Sequence, residues 1–463
     1  MSKQVLFFCC DQLLYNALGY AGHAIVKTPN LDRLALKSTN FKHAFSANPV
    51  CVPARISMFT GQYSHRHGQQ HNSTPVRPAT VMLPDLLHAA NIHSGAIGKL
   101  HILPVKETRR FDTVRLHDGW GQDSDYIKYL RKIKPELAEY EYSALPVEKG
   151  QGVLFGKDID TGKSIEALIY GQSQIPEEYS YTRWMADETI EFLGAHRAAP
   201  FFLFVSFCGP HSPFMVPAPY DKLYDPDQIP LPATCRENPE NFPLSKQRQQ
   251  SKWGTSSMSD EQIKKVTALY YGHITLIDKY IGKILDQLEA DNRLDEMMII
   301  FSADHGELLA NHGMFYKGTM HDEALRVPLL IHMPGQQAGK ISETMVSQVD
   351  FMPTILDFLG CAIPPWNQGL SMMPVLNGEQ MELRSEIFAE NHVAADTPRL
   401  GYRTKEWLLA YEIKKGCFTG EGELYNLQAD PLQINNLFNT PECQDQIAQF
   451  KNRMLHWFIH TAE

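Results

Sequence analysis

Val5-Leu6-Phe7-Phe8-Cys9-Cys10, followed at once by Asp11-Gln12, is the stretch on which the fold turns. A continuous apolar run of this length, without alternation and bounded by polar residues, reads as a strand covered on both faces. Three further runs share its character: His93–Gly98, Phe201–Cys208 and Met297–Ser302. Helices fit between them. Thr28-Pro29 opens one through Leu36 with proline at the first helical position, and Leu83–Ala90 and Trp184–His196 supply two more. The clearest spans 260 to 290, where Ser259 and Gln262 form a capping box and Ile263, Val266, Tyr270, Ile274, Ile277, Ile281, Leu285 and Leu288 draw one helical stripe. Buried strands alternating with such helices predict an α/β fold, a large, mostly parallel sheet flanked by helices.

At 463 residues the chain can bury roughly three quarters of its unfolded surface, so folding needs neither disulfide nor metal staples. A net charge of −10 excludes general nucleic-acid binding, which requires a basic face, while leaving room for a local cluster of cations around an anion. The apolar run near the N-terminus is too short for a signal-peptide core. The longest uncharged stretch, Ala198 to Tyr220, is broken by five prolines, which excludes a spanning helix. The expectation is a cytoplasmic chain with no membrane partner and free thiols, and no feature specifies an oligomeric state. After the apolar helix Phe351–Leu359, Gly360 and Pro364-Pro365 punctuate the chain. Residues 1–365 are expected to form the catalytic α/β domain and 366–463 a small C-terminal α+β domain. Residues 105–180 and 217–258 read as insertions over one face of the sheet. Their Trp120, Tyr126, Tyr129, Tyr170 and Trp253 are either pocket walls or packing residues.

Each predicted strand runs into residues that can carry chemistry: Asp11-Gln12, Lys99 with His101, Pro210-His211, and Asp304-His305. Parallel strands end at a common edge, where α/β proteins bind their ligands, so these distant residues are expected to converge. Taken singly, a carboxylate at a strand end is more often a turn or cap residue; four such ends at one edge outweigh that reading. Asp11, Gln12, Asp304 and His305 offer two carboxylates, an amide oxygen and an imidazole to one divalent metal. The oxygens suit calcium, and the imidazole keeps manganese or another transition metal open. The second feature is Cys51-Val52-Pro53-Ala54-Arg55, followed by Thr60-Gly61. A proline two residues after Cys51 and the helix-compatible run Ala54–Phe59 set the cysteine at a helix N-terminus, where amide dipoles favour anions. Arg55, one turn along, can reach back to it. An ordinary buried cysteine ahead of a helix would look the same in this pentapeptide alone.

The Cys-x-Pro-x-Arg sequence resembles the signature of the type I sulfatases, formylglycine-dependent members of the alkaline-phosphatase-like superfamily. The resemblance covers nearly the whole chain, in family order: Asp11-Gln12, Thr28–Asp32, Cys51–Arg55, Gly98-Lys99 with His101, Pro210-His211 with Pro213-Phe214, Ser302–Glu307 with His312-Gly313 and Lys317, Arg326–Pro328, Asp350 with Pro353-Thr354, and Glu423–Leu427 with Asp430-Pro431. Many family members carry a second Asp at the position of Gln12 and Asn at that of His305. The variants found here look like choline sulfatases, some bacterial carbohydrate sulfatases and phosphonate monoester hydrolases; the Lys99/His101 pair favours a sulfatase.

The resemblance implies an alkaline-phosphatase-like fold with a four-stranded antiparallel sheet in the small domain. It implies that a maturation enzyme oxidises Cys51 to formylglycine, and that one hydroxyl of the hydrated aldehyde, bound to a metal held by Asp11, Gln12, Asp304, His305 and residue 51 itself, attacks sulfur. Arg55 would hold the diol, and Lys99 and Lys317 would neutralise sulfate oxygens. His211 would protonate the departing alcohol, and His101 would deprotonate the second hydroxyl to release sulfate. Asn72, in the polar run Gln69–Asn72, would contact the sulfate or its nearest substituent. The implied activity is hydrolysis of a sulfate monoester of a small or carbohydrate substrate. The alternatives are a phosphonate monoester or phosphodiester hydrolase on the same site, and a catalytically silent anion-binding protein.

Overall fold

The computed structural model describes residues 3–119, 124–139, 152–157, 164–238, 240, 242–392, 398–414 and 417–462. Its main sheet has nine strands. They run in the order Arg326–Val327, Thr39–Phe45, Leu329–His332, Met298–Ala303, Gln4–Asp11, Phe201–Pro210, His93–Gly98 and Thr113–Leu116, with Lys340–Ser347 added beside Thr39–Phe45. From Met298–Ala303 to Thr113–Leu116 every pairing is parallel, with Val5 opposite both Phe202 and Met298. All residues of Gln4–Asp11 and of Phe201–Pro210 are buried, which is why the sequence shows unbroken apolar runs there. At the other edge the sheet turns antiparallel, Leu329–His332 pairing with both Met298–Ala303 and Thr39–Phe45.

The helices follow their caps. Tyr181–Ala195 begins three residues before Trp184, because Ser180 accepts from the backbone N–H of Arg183 and so fixes the start. Asp260–Ala290 has the capping box at Ser259 and Gln262, and all eight residues of its apolar stripe are buried. Burying each such side chain contributes roughly 2 kcal/mol. This helix also reaches the strand edge: Tyr270 donates to the carbonyl of Gln12 at 2.7 Å and accepts from the N–H of Leu14 at 2.8 Å. The chain is thereby held in the turn where Gln12 takes a φ of 63°.

Near the C-terminus, Glu386–Asn391, Arg399–Thr404, Trp407–Lys414 and Cys417–Asn426 form an antiparallel four-stranded meander, followed by the helix Gln444–Ala462. Both of its faces are covered. One packs Phe388, Tyr402 and Leu424 against Trp457 of the last helix together with Tyr63 and Val349. The other packs Ile387, Ala389 and Leu408 against Phe45, Met320 and Met345. The small sheet therefore shares apolar cores with the segments around the strand edge. Among the described residues no helix is long and apolar enough to cross a membrane.

Candidate active site

Cys51 is the first residue of the helix Cys51–Thr60, all of which is buried. The residue before it, Val50, offers no side-chain cap. Asn72 fills that role from outside, its Oδ1 accepting from the backbone N–H of Val52 at 3.0 Å, one of the donors a helix start leaves open. Where the sequence suggested a sulfate contact, the structure thus also gives Asn72 the task of fixing the helix that carries Cys51. The Cys51 Sγ lies 3.1 Å from Nε2 of His305 and 3.9 Å from Oδ1 of Asp11. One ligand atom each from Asp11, Cys51, Asp304 and His305 falls within 4.8 Å of the others, and all four residues are buried.

Arg55, fully buried, binds this cluster together. Its Nε donates to Asp304 Oδ2 at 2.8 Å, its Nη2 to Asp11 Oδ2 at 3.1 Å, and its Nη1 to the Lys99 carbonyl and Ser206 Oγ, both at 2.7 Å. This engages four of its five N–H groups. Lys99 Nζ adds a second cation 2.7 Å from Asp11 Oδ2. Burial alone would raise the Asp11 carboxyl, yet Lys99, His211 and Arg55 hold it well below the usual range. Asp304 moves the other way, pushed up by burial and by the neighbouring Asp11 charge. Burial likewise opposes a thiolate at Cys51, but Lys317, His305 and Lys99 outweigh it and hold the thiol well below its ordinary value. Burial opposes a charge on His305 as well, but the Asp304 and Cys51 charges outweigh it and raise the imidazole; Nδ1 pairs with the Gly306 carbonyl at 2.9 Å, so loss of the other proton to a bound cation would turn an Nε2 lone pair toward Cys51 and the carboxylates. Two buried carboxylates that crowd one another, with an imidazole nitrogen beside them, are a donor set suited to a divalent cation.

Around the cluster stands a polar rim. Lys317 Nζ donates to Gln12 Oε1 and lies 2.6 Å from His211 Nε2. His211 Nδ1 pairs with the Ser212 carbonyl at 2.5 Å, so Nε2 is the acceptor for Lys317. Burial and the Lys317 charge push His211 down to about 4, keeping its imidazole neutral. His101 also hydrogen-bonds Cys51. Its backbone has a φ of 53°, and Asp118 Oδ1 accepts from the N–H groups of Leu100 and His101 at 2.8 and 2.9 Å. All ten of the strand-end, helix and loop residues singled out in the sequence for chemistry, from Asp11 to Lys317, thus meet in one place, with Asn72 one hydrogen bond away.

Besides Ser206, which accepts from Arg55, three participants carried no assigned role in the sequence. Glu307 is buried against Gln12, Asp118 holds the His101 turn, and Gln249 Nε2 donates to the Lys317 carbonyl. Glu307 had a positional signal, two residues beyond His305; the other two had none. The aromatic candidates divide. Tyr126 is wholly buried against Trp184 and His117 and donates to the Tyr179 carbonyl, and Tyr170 is also buried, so both are packing residues. Trp253 stands edge-on to Tyr316, Tyr129 is partly buried in the core, and Trp120 lies outside the described residues.

The fold and the site have counterparts among known proteins. Residues 3–361 match the sulfatase family model, and residues 310–458 match that of the C-terminal region of N-sulphoglucosamine sulphohydrolase. An arylsulfatase of Clostridium perfringens is 28% identical over 96% of this chain and 92% of its own length. The multifunctional alkaline phosphatase superfamily protein PehA of Trinickia caryophylli is 27% identical over 100% of this chain and 96% of its own. Among solved structures, the phosphonate monoester hydrolase of Agrobacterium radiobacter superposes with a TM-score of 0.83 at 25% identity, covering 99% of this chain and 96% of that one. The large mixed sheet flanked by helices and the small antiparallel sheet are the alkaline-phosphatase-like architecture that the signature implied. Matched by the family model over residues 3–361, the stretch that carries the main sheet, the metal-type cluster and the Cys-Val-Pro-Ala-Arg helix start, this chain belongs to the sulfatase family, the hydrolases of sulfuric esters.

Proposed function

We propose that the chain hydrolyses the sulfate monoester of a small or carbohydrate alcohol after a maturation enzyme has oxidised Cys51 to formylglycine. The observation that carries this reading is the meeting of Asp11, Cys51, Asp304 and His305 at the start of a buried helix, ringed by Arg55, Lys99 and Lys317. Asp11, Gln12, Asp304, His305 and residue 51 would hold one divalent ion, Ca2+ on the count of hard oxygens and Mn2+ as the alternative. Such an ion supplies Lewis-acid polarisation of an oxygen, and the hydrated aldehyde of formylglycine supplies the nucleophilic hydroxyl.

The remaining work falls to side chains already in place. Arg55 keeps the two carboxylates at fixed separation. Lys99 and Lys317 would present ammonium groups to the sulfate oxygens, and the charge of Lys99, which gives up no proton, needs no reorganisation as the transition state forms. The proton between Lys317 Nζ and His211 Nε2 is the one available to the departing alcohol oxygen; a neutral His211 receives it from Lys317 and passes it on. His101, in hydrogen-bond contact with residue 51, would take a proton from the second hydroxyl and so release sulfate.

Comparing 4-nitrophenyl sulfate with 4-nitrophenyl phenylphosphonate on protein co-expressed with a maturation enzyme tests the reading. The sulfate ester is expected to have the higher kcat/KM, by at least about tenfold. The reverse ranking would assign the site to phosphonate monoesters, the reading that Gln12 and the Agrobacterium radiobacter likeness favour. The mass of the peptide spanning residue 51 checks the modification: unmodified thiol in fully active protein would remove formylglycine from the mechanism.

A further inference from the structure

A carboxamide has a donor end and an acceptor end of nearly the same shape, so the way Gln12 faces is decided by its neighbours. Those neighbours are of opposite kind. Oε2 of Glu307 lies 2.5 Å from Nε2 of Gln12, and an ionised carboxylate only accepts; Lys317 Nζ stands at Oε1 of Gln12, and an ammonium only donates. Glu307 is wholly buried. Its second oxygen accepts from the backbone N–H groups of Leu309 at 2.8 Å and Tyr316 at 2.6 Å. These two bonds close the loop whose next residue is Lys317. One carboxylate therefore touches both the residue beside Asp11 and the loop that delivers the ammonium to His211.

We propose that Glu307 is the positioning residue of this site: its Oε2 turns the Gln12 carboxamide so that oxygen, and not nitrogen, faces Lys317, and its Oε1 holds the 309–316 loop that keeps Lys317 against His211. The inference rests on the proposed reading of Gln12 as a metal ligand and Lys317 as a sulfate-binding cation. Its consequence is specific. In Glu307→Gln the introduced amide oxygen still accepts from Leu309 and Tyr316, and the introduced NH2 group then faces Gln12 and demands an acceptor. Gln12 must turn over, and its own NH2 group meets the Lys317 ammonium, donor against donor. In Gln12→Glu alone, two carboxylates face one another. In the double variant Gln12→Glu/Glu307→Gln, acceptors at position 12 satisfy both the introduced NH2 group and Lys317, so the pattern is restored with donor and acceptor exchanged. A role confined to filling space or closing the loop would make Glu307→Gln and the double variant alike.

The test is Mn2+ titration calorimetry on the full-length matured protein at one fixed pH for all variants, with thermal melts and steady-state kinetics on 4-nitrophenyl sulfate alongside. Glu307→Gln is expected to lose at least about tenfold in Mn2+ affinity and in kcat with a smaller change in KM, and the double variant to regain at least about tenfold in affinity. Wild-type affinity and kcat in Glu307→Gln, or a double variant no tighter than Glu307→Gln, would overturn the proposal. Should Glu307→Gln not fold, the comparison moves to Gln12→Glu against the double variant, where an equal affinity overturns it. A wild-type protein inactive on sulfate esters, whose Mn2+ affinity still falls on Glu307→Gln, would sink the sulfatase reading and support this one.

Discussion

In the proposed mechanism, residue 51 is what separates the chemistry from that of an ordinary serine or cysteine hydrolase. A nucleophile with one hydroxyl can attack a sulfate ester, but it leaves behind an ester with no neighbouring hydroxyl to collapse onto carbon and expel the sulfate. His101, which hydrogen-bonds residue 51, then has no second proton to take. Cys51→Ser is therefore expected to undergo at most one slow turnover, after which the peptide spanning residue 51 carries the added mass of a sulfate, dependent on substrate. Intact-mass and peptide-mass measurements before and after incubation read this out. Sustained turnover without an adduct would mean that water attacks sulfur directly. Arg55 belongs to the same scale. With both carboxylates, the Lys99 carbonyl and Ser206 Oγ on its guanidinium, it sets where the nucleophile's partners stand, and one N–H group is left to face the diol that the signature assigns to it.

Strand ends and one helix start deliver the remaining groups, so a distortion of one element should be felt as lost rate. Gly209 shows where this is sharpest. It precedes Pro210-His211, and a Cβ there would lie 2.3 Å from both Cε1 and Nε2 of His273, whose Nε2 pairs with Tyr181 Oη at 2.9 Å. Gly209→Ala must push back either the ring or the strand end. Overpacking of this kind costs about 1–3 kcal/mol, and displacing His211 from Lys317 should lower kcat by at least about tenfold. Melting curves with saturation kinetics check both; a destabilised variant with wild-type kcat would show that His211 is placed by something other than this strand. The same elements show what a sequence makes legible. Strands buried on both faces announce themselves as unbroken apolar runs, and polar residues directly beyond them mark the edge where the cluster lies. Thr39–Phe45, half-buried and carrying Lys42 and His43, has no such run, and Leu329–His332 is only four residues long. The helix Leu244–Trp253 is harder still. Between Leu244 and Trp253 every residue is polar, yet Lys246 is fully buried beside Glu423, and Gln249 and Gln250 reach the carbonyls of Lys317 and His312. Buried polar partners are chosen by where the fold happens to bring them, and they leave no period along the chain.

Across the whole molecule, buried neutral histidines tie stability to acidity. Burial, with neighbouring charges in some cases, pushes His67 down to about 3 and His211 and His273 down to about 4. In the unfolded chain each would titrate near 6.5. Between these values the unfolded state binds protons that the folded state refuses, so acid favours unfolding. The stability these groups confer is fully present above about pH 6.5 and drains away as the pH falls toward 4, by about 3 kcal/mol for a shift of this size. His273 isolates the effect. Burial is its only resolved cause, it lies behind the strand edge and not on the nucleophile, and its hydrogen bond to Tyr181 can be kept by a neutral amide. His273→Gln should cost some packing at every pH, because the amide is not a ring. Relative to wild type, however, it should lose less on acidification, by up to one proton's worth of slope between about pH 6.5 and 4.5. Urea denaturation of both proteins at several pH values in that interval measures the difference. Parallel pH profiles would mean that the imidazole is protonated in the folded state after all, and that Tyr181 accepts from it where a neutral ring would let the phenol donate.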